Sequence, residues 1–141
     1  MRTATPMHLV ASLTAVSLLA ACAAQRVGYG DRATLLAEGD SVVIASTLSA
    51  AALARCFETD ATLLPLSVVR LEPDLGRSLY RLQGFGLWLE EAIFRDLPTG
   101  GSEVQYHWPA NYDARWRSQL ERDRLGPLRA CAVRTTEETK Q

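Results

Sequence analysis

The residues of this chain that could do chemistry are few, and histidine is the scarcest of them. The chain has 141 residues and two histidines, His8 near the N-terminus and His107 in the body. A Ser-His-acid triad or a histidine-ligated metal in the body would therefore have to use His107. Transition-metal sites usually take three or four nitrogen or sulfur ligands, more than one histidine and a few cysteines offer. The sequence predicts no metal, no cofactor and no catalytic residue.

The carboxylates do not pair in a way that suits acid and base catalysis. Glu90 and Glu91 are adjacent, so on a strand their side chains point to opposite faces of the sheet. Glu103 and His107 share a strand face but lie about 13 Å apart by the rise of a strand, too far for a hydrogen-bonded dyad. The motifs G-x-S-x-G, H-E-x-x-H and C-x-x-C do not occur in the sequence. We therefore expect the protein not to be an enzyme.

The overall composition indicates one folded domain with no nucleic-acid partner. Lys and Arg number 15 against 16 Asp and Glu, a formal net charge of −1. A nucleic-acid-binding protein would show a clustered basic excess. Hydrophobic residues make up 48% of the chain, too many for a disordered protein. A chain of this length supports one small domain.

The N-terminal segment has the layout of a secretory signal. Arg2 precedes an apolar run from Leu9 to Ala21 that is interrupted only by small hydroxyl residues. A positive start and a short apolar run are typical of such signals. The run has 13 residues, whereas a helix needs about 20 to span a bilayer. At its end, Leu19-Ala20-Ala21-Cys22 resembles the lipobox of bacterial lipoproteins, L-[AS]-[GA]-C.

This resemblance covers the first 22 residues and implies a lipid-anchored protein of the cell envelope. In that family a peptidase cuts before the cysteine, whose thiol carries diacylglycerol and whose new amine is usually acylated, commonly with palmitate. Two or more acyl chains hold a protein stably on a membrane. In the enteric sorting rule, Asp after the cysteine retains the protein at the inner membrane, and here Ala23 follows. The resemblance implies a lipidated Cys22 and an outer-membrane protein facing the periplasm, with the inner membrane as the alternative.

Lipidation of Cys22 also accounts for an odd number of cysteines. An unpaired cysteine in an exported protein needs an explanation, and the lipid supplies it. Cys56 and Cys131 then remain, and the oxidising environment outside the inner membrane should join them. Each continues the apolar stripe of its predicted helix, which places both between the helices. The sequence predicts a Cys56–Cys131 disulfide.

The chain divides into four parts. We predict a signal peptide (1–21), a lipidated N-terminus with a flexible tether (22–45), a small domain (46–134) and a disordered tail (135–141). Glycines and scattered charges without periodicity indicate the tether. The polar sequence TTEETKQ indicates the tail.

Periodicity within the small domain predicts an α+β fold. Apolar residues four apart indicate a first and a last helix, and alternating or β-branched segments indicate the strands: helices over 47–57 and from 112, strands over 66–72, 77–83, 87–97 and 103–108. The segment 87–97 also fits a helix, but the hairpin turn that follows favours a strand. The predicted order is helix, about four antiparallel strands and helix, with the helices packed on one sheet face.

One polar sheet face is the candidate interaction surface. In the last strand, Val104, Tyr106 and Trp108 alternate with polar residues. These polar residues and two arginines of an earlier strand make up the predicted docking face: Arg77, Arg81, Glu103, Gln105 and His107. We expect this face to be exposed, because a charged, mixed-sign surface fixes the choice of partner even where it adds little affinity.

The sequence therefore favours a lipid-anchored, non-catalytic interaction or structural module of a Gram-negative type of envelope. Its expected partners are the membrane and an envelope protein. Two alternatives stay open. A carrier or sensor of a small apolar ligand would need a cavity lined by residues such as Trp88 or Trp116. A carboxylate-based hydrolase of envelope polymers would need two carboxylates about 5 to 9 Å apart in a cleft.

Overall fold

The structure is a computed structural model that describes residues 26–134. The predicted signal peptide (1–21), the predicted lipidation site Cys22 and the predicted tail (135–141) lie outside the described residues. Within 26–134 the fold is α+β, as the sequence predicts, with helices packed on an antiparallel sheet of five strands.

The sheet has the strand order β1-β5-β4-β3-β2. Its strands are β1 (Asp40–Ser46), β2 (Ser67–Glu72), β3 (Arg77–Gly84), β4 (Leu87–Asp96) and β5 (Ser102–Trp108). The helices are α1 (Arg32–Glu38), α2 (Ala50–Asp60), α3 (Ala114–Leu120) and α4 (Gly126–Ala132). A π turn over Glu121–Leu125 joins α3 to α4, so these three form one continuous helix. The four predicted strands are β2 to β5, and the ambiguous segment 87–97 forms β4.

The fifth strand and an additional helix lie where the sequence predicts a tether. Residues from Arg32 onward within the segment 22–45 form α1 and β1, so the tether prediction is wrong for them. Val42 and Ile44 pack against the core, as alternate residues of a strand should. Val43 between them is apolar as well, although it is 59% exposed. This third apolar side chain hides the alternation that would have indicated a strand.

One sheet face, which we call the helix face, carries the hydrophobic core. Val104, Tyr106 and Trp108 point to it, as their alternation predicts. Phe57 of α2 lies edge-on to Tyr80 and Tyr106, with ring centroids 5.1 and 6.3 Å apart. Burial of apolar surface stabilises the fold by about 25 cal/mol per Å², so these large rings contribute much of its stability.

The opposite face, which we call the outer face, is covered in part by α1. This helix contacts β4 and β5, and its Arg32 binds Glu91, which points away from the helix face. Leu35 of α1 is fully buried. The prediction that all helices pack on one sheet face is therefore wrong for α1. A helix of seven residues shows too little periodicity in sequence to be recognised.

The predicted disulfide is confirmed. Cys56 of α2 and Cys131 of α4 are bonded, with their Cα atoms 5.9 Å apart. The two cysteines are 75 residues apart in the chain, and closing a loop of that length in the unfolded chain stabilises the fold by about 4 kcal/mol. The bond joins the two helical segments that cover the helix face.

Candidate functional site

Two adjacent carboxylates of β4, Glu90 and Glu91, mark the two sides of the candidate site. They point to opposite sheet faces, as the sequence predicts, and neither is more than 2% exposed. Since the sheet separates them, they do not form a facing acid and base pair. Glu90 binds a partner on the helix face, and Glu91 binds another on the outer face.

Glu90 is the centre of a buried hydrogen-bond network. Its Oε2 accepts hydrogen bonds from the hydroxyls of Tyr80 at 3.0 Å and Tyr106 at 2.5 Å. Its Oε1 accepts one from Tyr112 at 3.2 Å. The Nε of Arg124 lies 2.7 Å from Oε2, and both charged side chains are fully buried. A buried carboxylate loses its hydration, and these donors and the opposite charge offset that loss.

Arg124 reaches Glu90 from the π turn between α3 and α4. Its Nε, Nη1 and Nη2 have no acceptor in hydrogen-bond geometry within residues 26–134. The contact with Glu90 is therefore an ion pair without an aligned hydrogen bond, in an interior where low dielectric constant strengthens charge attraction. A π turn changes the register of a helix locally, and here the change places the arginine over the carboxylate.

Burial raises the pKa of Tyr80, Tyr106 and Tyr112 above the usual value of 10.0, and the charge of Glu90 raises it further. All three hydroxyls therefore stay protonated and able to donate at neutral pH. Because every member of this network is buried, with at most 3% of any residue exposed, it positions strands and helices and offers no surface to a substrate.

On the outer face, Glu91 is held by Arg32 of α1. The Arg32 Nε donates to Glu91 Oε2 at 2.7 Å, and its Nη2 donates to Oε1 at 2.6 Å. Such a bidentate pair is stronger and more directional than a single contact. It fastens α1 across the sheet at the position of Glu91.

His107 lies beside this ion pair and is 6% exposed, so the prediction that it faces solvent is wrong. In the register of β4 and β5, His107 lies opposite Glu91. It lies on the outer face, as its alternation predicts, but α1 covers that part of the face. Its Nδ1 has no hydrogen-bond partner within residues 26–134. Burial lowers the pKa of His107 below 6.5, although the charge of Glu91 acts in the other direction.

The other residues of the docking face lie beyond α1 and divide into two groups. Arg77 is exposed and donates to Glu72 at 2.8 Å, and Arg81 on the same strand is half-buried. Glu103 and Gln105 are half-buried on β5, which β4 separates from β3. The docking face is therefore rich in arginine on β3 and mixed in polarity on β5.

The arginine-rich part borders a groove of about 280 Å³, which we call the arginine groove. Glu91 neutralises Arg32 there, and Glu72 neutralises Arg77. Arg70 has no carboxylate partner within residues 26–134, and neither has Arg81. The groove combines four arginines with an aliphatic floor: Arg32, Arg70, Arg77, Arg81, Leu79 and Ile93.

Arg70 and Arg81 are diagonal neighbours across β2 and β3, close enough for their long side chains to reach one ligand. The ring of Trp88 lies 5.4 Å from the Arg81 guanidinium carbon and orients it. Guanidinium groups bind carboxylates and phosphates through paired N–H donors. The groove is therefore suited to an oxyanion. The sequence analysis named Trp88 only as a possible lining residue of an apolar cavity and did not identify Arg32, because a bulge in β4 and the position of α1 place them here.

A second cluster, of Cys56, Asp60 and Cys131, has residue types that occur in metal sites. Its two sulfurs are bonded to each other, so neither is a thiolate that could bind a metal. Asp60 instead forms an ion pair with Arg134 at 2.5 Å beside the disulfide. The cluster is a disulfide flanked by an ion pair.

Removing one charge of the Glu90–Arg124 pair should destabilise the domain more than removing both. Arg124→Met leaves a buried carboxylate without its counter-charge, and we expect a loss of about 3 to 5 kcal/mol in the free energy of unfolding. Glu90→Gln with Arg124→Met keeps an acceptor for the tyrosines and should regain part of that loss. Urea unfolding followed by circular dichroism measures both variants.

The exposed pair of Arg129 and Glu121 is the matched control for this comparison. Arg129→Met should change the free energy of unfolding by less than about 1 kcal/mol, because water screens an exposed pair. The loss of unfolding free energy in the double variant should be smaller than the summed losses of Glu90→Gln and Arg124→Met. A loss equal to that sum would contradict the coupling of the two side chains.

His107 should make the fold sensitive to mild acid. Its pKa is lowered in the folded state, so the unfolded chain binds a proton more readily. Stability should therefore be full above about pH 6.5 and fall as pH decreases through the folded pKa, by at most about 1.4 kcal/mol per pH unit for one proton. Urea unfolding between pH 5 and 8 measures this, and His107→Leu should abolish that part of the dependence. An unchanged pH profile in His107→Leu would refute it.

Comparisons of this chain with protein families, with characterised proteins and with solved structures found no match. The network is a structural element of the core. The arginine groove is the accessible part of the site, with free guanidinium donors and an open side toward solvent.

Proposed function

We propose that this protein is a lipid-anchored, non-catalytic interaction module of a Gram-negative type of cell envelope, and that it binds an acidic partner protein in the arginine groove. One observation carries the proposal. Arg70 and Arg81 line the same groove as diagonal neighbours on a sheet face, and neither has a carboxylate partner within residues 26–134. A partner carboxylate would supply the missing charge.

The open side of the groove, more than its size, favours a protein side chain over a separate small ligand. Pockets for small molecules usually measure about 300 to 1,000 Å³ and enclose most of the ligand. The arginine groove has about 280 Å³ and is open along one side. It suits a carboxylate that is presented by a larger surface, with Glu103 and Gln105 available as a polar rim.

The charge of the groove also argues against the two alternative functions, an apolar-ligand carrier and a carboxylate-based hydrolase. A carrier of an apolar ligand would need a cavity with apolar walls, and Trp88 lies instead among arginines. A carboxylate-based hydrolase would need two facing carboxylates, whereas the sheet separates Glu90 from Glu91. The two carboxylates that line the groove, Glu72 and Glu91, are each held in an ion pair with an arginine. An acidic protein matches the charges that are present, and complementary charge fixes the orientation of the partner.

The membrane part of the proposal rests on the lipobox, Leu19-Ala20-Ala21-Cys22. The proposed location is the outer membrane, with the domain in the periplasm. The structure contains no helix, among residues 26–134, that is long and apolar enough to cross a membrane.

We expect Cys22 to carry the lipid. In cells fed a palmitate analogue, the wild-type protein should be labelled and should fractionate with the outer membrane. Cys22→Ser should be unlabelled and lose its membrane retention, because acyl chains supply the stable anchor. Cys56→Ser with Cys131→Ser is the matched control and should remain labelled. An unlabelled wild type, or full membrane retention of Cys22→Ser, would overturn the anchoring.

We expect the partner to contact the floor of the arginine groove. A photo-reactive amino acid at Leu79 should form a crosslinked adduct in intact cells. Reversing the charge with Arg70→Glu and Arg81→Glu should reduce that adduct at least about tenfold, the loss expected for one charge-assisted hydrogen bond. Arg115→Glu, at an exposed arginine of α3, is the control and should leave it unchanged. An adduct that survives charge reversal would refute the proposed site.

A further inference from the structure

We infer that the end of the sheet that carries the β3–β4 hairpin loop rests in the membrane surface, with Phe85 and Leu66 among the lipids. This inference rests on the anchoring of Cys22 proposed above. Two independent features support it: the backbone conformation of the two exposed apolar residues, and the place where the chain leaves the domain toward Cys22.

Phe85 has a conformation that its residue type disfavours. Gly84 pairs with Leu87, so Phe85 and Gly86 form a two-residue hairpin loop. Both have positive φ, 54° and 75°, as a type I′ turn requires. Glycine adopts this region freely, but a bulky residue there is an outlier. The Phe85 side chain is 101% exposed, so no packing within the domain offsets the strain. A strained residue that packs against nothing within residues 26–134 points to a contact outside the domain.

Leu66 repeats the same combination next to this loop. Its φ is 74°, and its side chain is 67% exposed. A Cβ placed on Gly84 would lie 3.6 Å from Leu66 Cδ1, so Leu66 lies beside the base of the hairpin loop. Two exposed large apolar side chains, each on a disfavoured backbone, therefore lie at the same end of the sheet.

The chain leaves the domain toward Cys22 at this same end. Trp88, three residues after Phe85, donates its backbone N–H to the carbonyl of Tyr29 at 2.7 Å. Gly28 packs against the first residues of β4. Cys22 lies six positions before Gly28 in the chain, a distance of about 20 Å at most when fully extended. An acylated Cys22 would thus hold this end of the sheet close to the bilayer.

The occupant is therefore a lipid surface. A short connection keeps this end of the sheet near the bilayer, and exposed Phe and Leu side chains bury favourably at the boundary between lipid headgroups and acyl chains. With this end of the sheet on the membrane, the strands run away from the bilayer and the outer face is roughly perpendicular to the membrane plane. The arginine groove then opens along the membrane plane, toward a partner in the same envelope.

Fluorescence quenching by lipids tests the orientation. The full chain, purified as the cell makes it, is reconstituted into phosphatidylcholine vesicles with or without lipids brominated in the upper acyl chain. Phe85→Trp should add a blue-shifted emission that the brominated lipids quench at least twofold relative to the wild type. Val133→Trp is the matched control, because Val133 is 81% exposed and lies beside the end of β1, at the other end of the sheet. Its added emission should not be quenched.

Each outcome decides the inference. No quenching at position 85 in a protein whose Cys22 is labelled by palmitate overturns the membrane contact and leaves the anchoring intact. Equal quenching at positions 85 and 133 means that the domain has no fixed orientation, which also overturns it. An unlabelled Cys22 overturns the anchoring and the inference together.

Phe85→Asn tests the strain separately. Asn adopts positive φ more readily than Phe, so the urea midpoint of unfolding in detergent should stay the same or rise. The hairpin backbone of this variant should also exchange its amide hydrogens at least twofold faster on vesicles than that of the wild type. A clear fall in the midpoint would show that Phe85 serves the fold, and would overturn the inference.

Discussion

The ion pair between Glu90 and Arg124 is the constraint on which the rest of the domain depends. The hydroxyls of Tyr80, Tyr106 and Tyr112 complete it, so one carboxylate connects β3, β4, β5 and the helix that follows them. A register shift of one residue in β4 would turn Glu90 to the outer face and leave a buried arginine without its counter-charge. The pair therefore specifies one register and one position of the last helix, whatever it adds to net stability.

The same pleat that buries Glu90 places Glu91 on the outer face, where it serves a different purpose. Arg32 binds it and fastens α1 over His107, while the strands β2 and β3 stay uncovered. The sheet is thus a core layer on one side and, on the other, partly a packing surface and partly an open surface. The arginine groove occupies the open part. A net charge of −1 for the whole chain gives no indication of this local excess of positive charge.

The proposed membrane contact and the proposed docking site fit one geometry. The hairpin loop at Phe85 lies at the end of the sheet where the chain runs toward Cys22, and the groove lies on a face beside it. If the sheet end rests on lipid, the groove opens sideways at a fixed height. A short connection then limits rotation of the domain, and reduced freedom before binding favours association with a partner in the same membrane.

Residues close together in sequence determined much of this fold. Alternation from Val104 to Trp108 predicts a strand, and cysteine parity predicts the disulfide, because each signal is periodic or counted along the chain. Tertiary structure alone decided the burial of His107 and the arginine partners of Glu90 and Glu91. Arg32 lies 59 residues before Glu91, and α1 is too short to show its own periodicity. Which side chains a sheet face meets depends on segments that return from far along the chain, and side-chain alternation reports only that two faces exist.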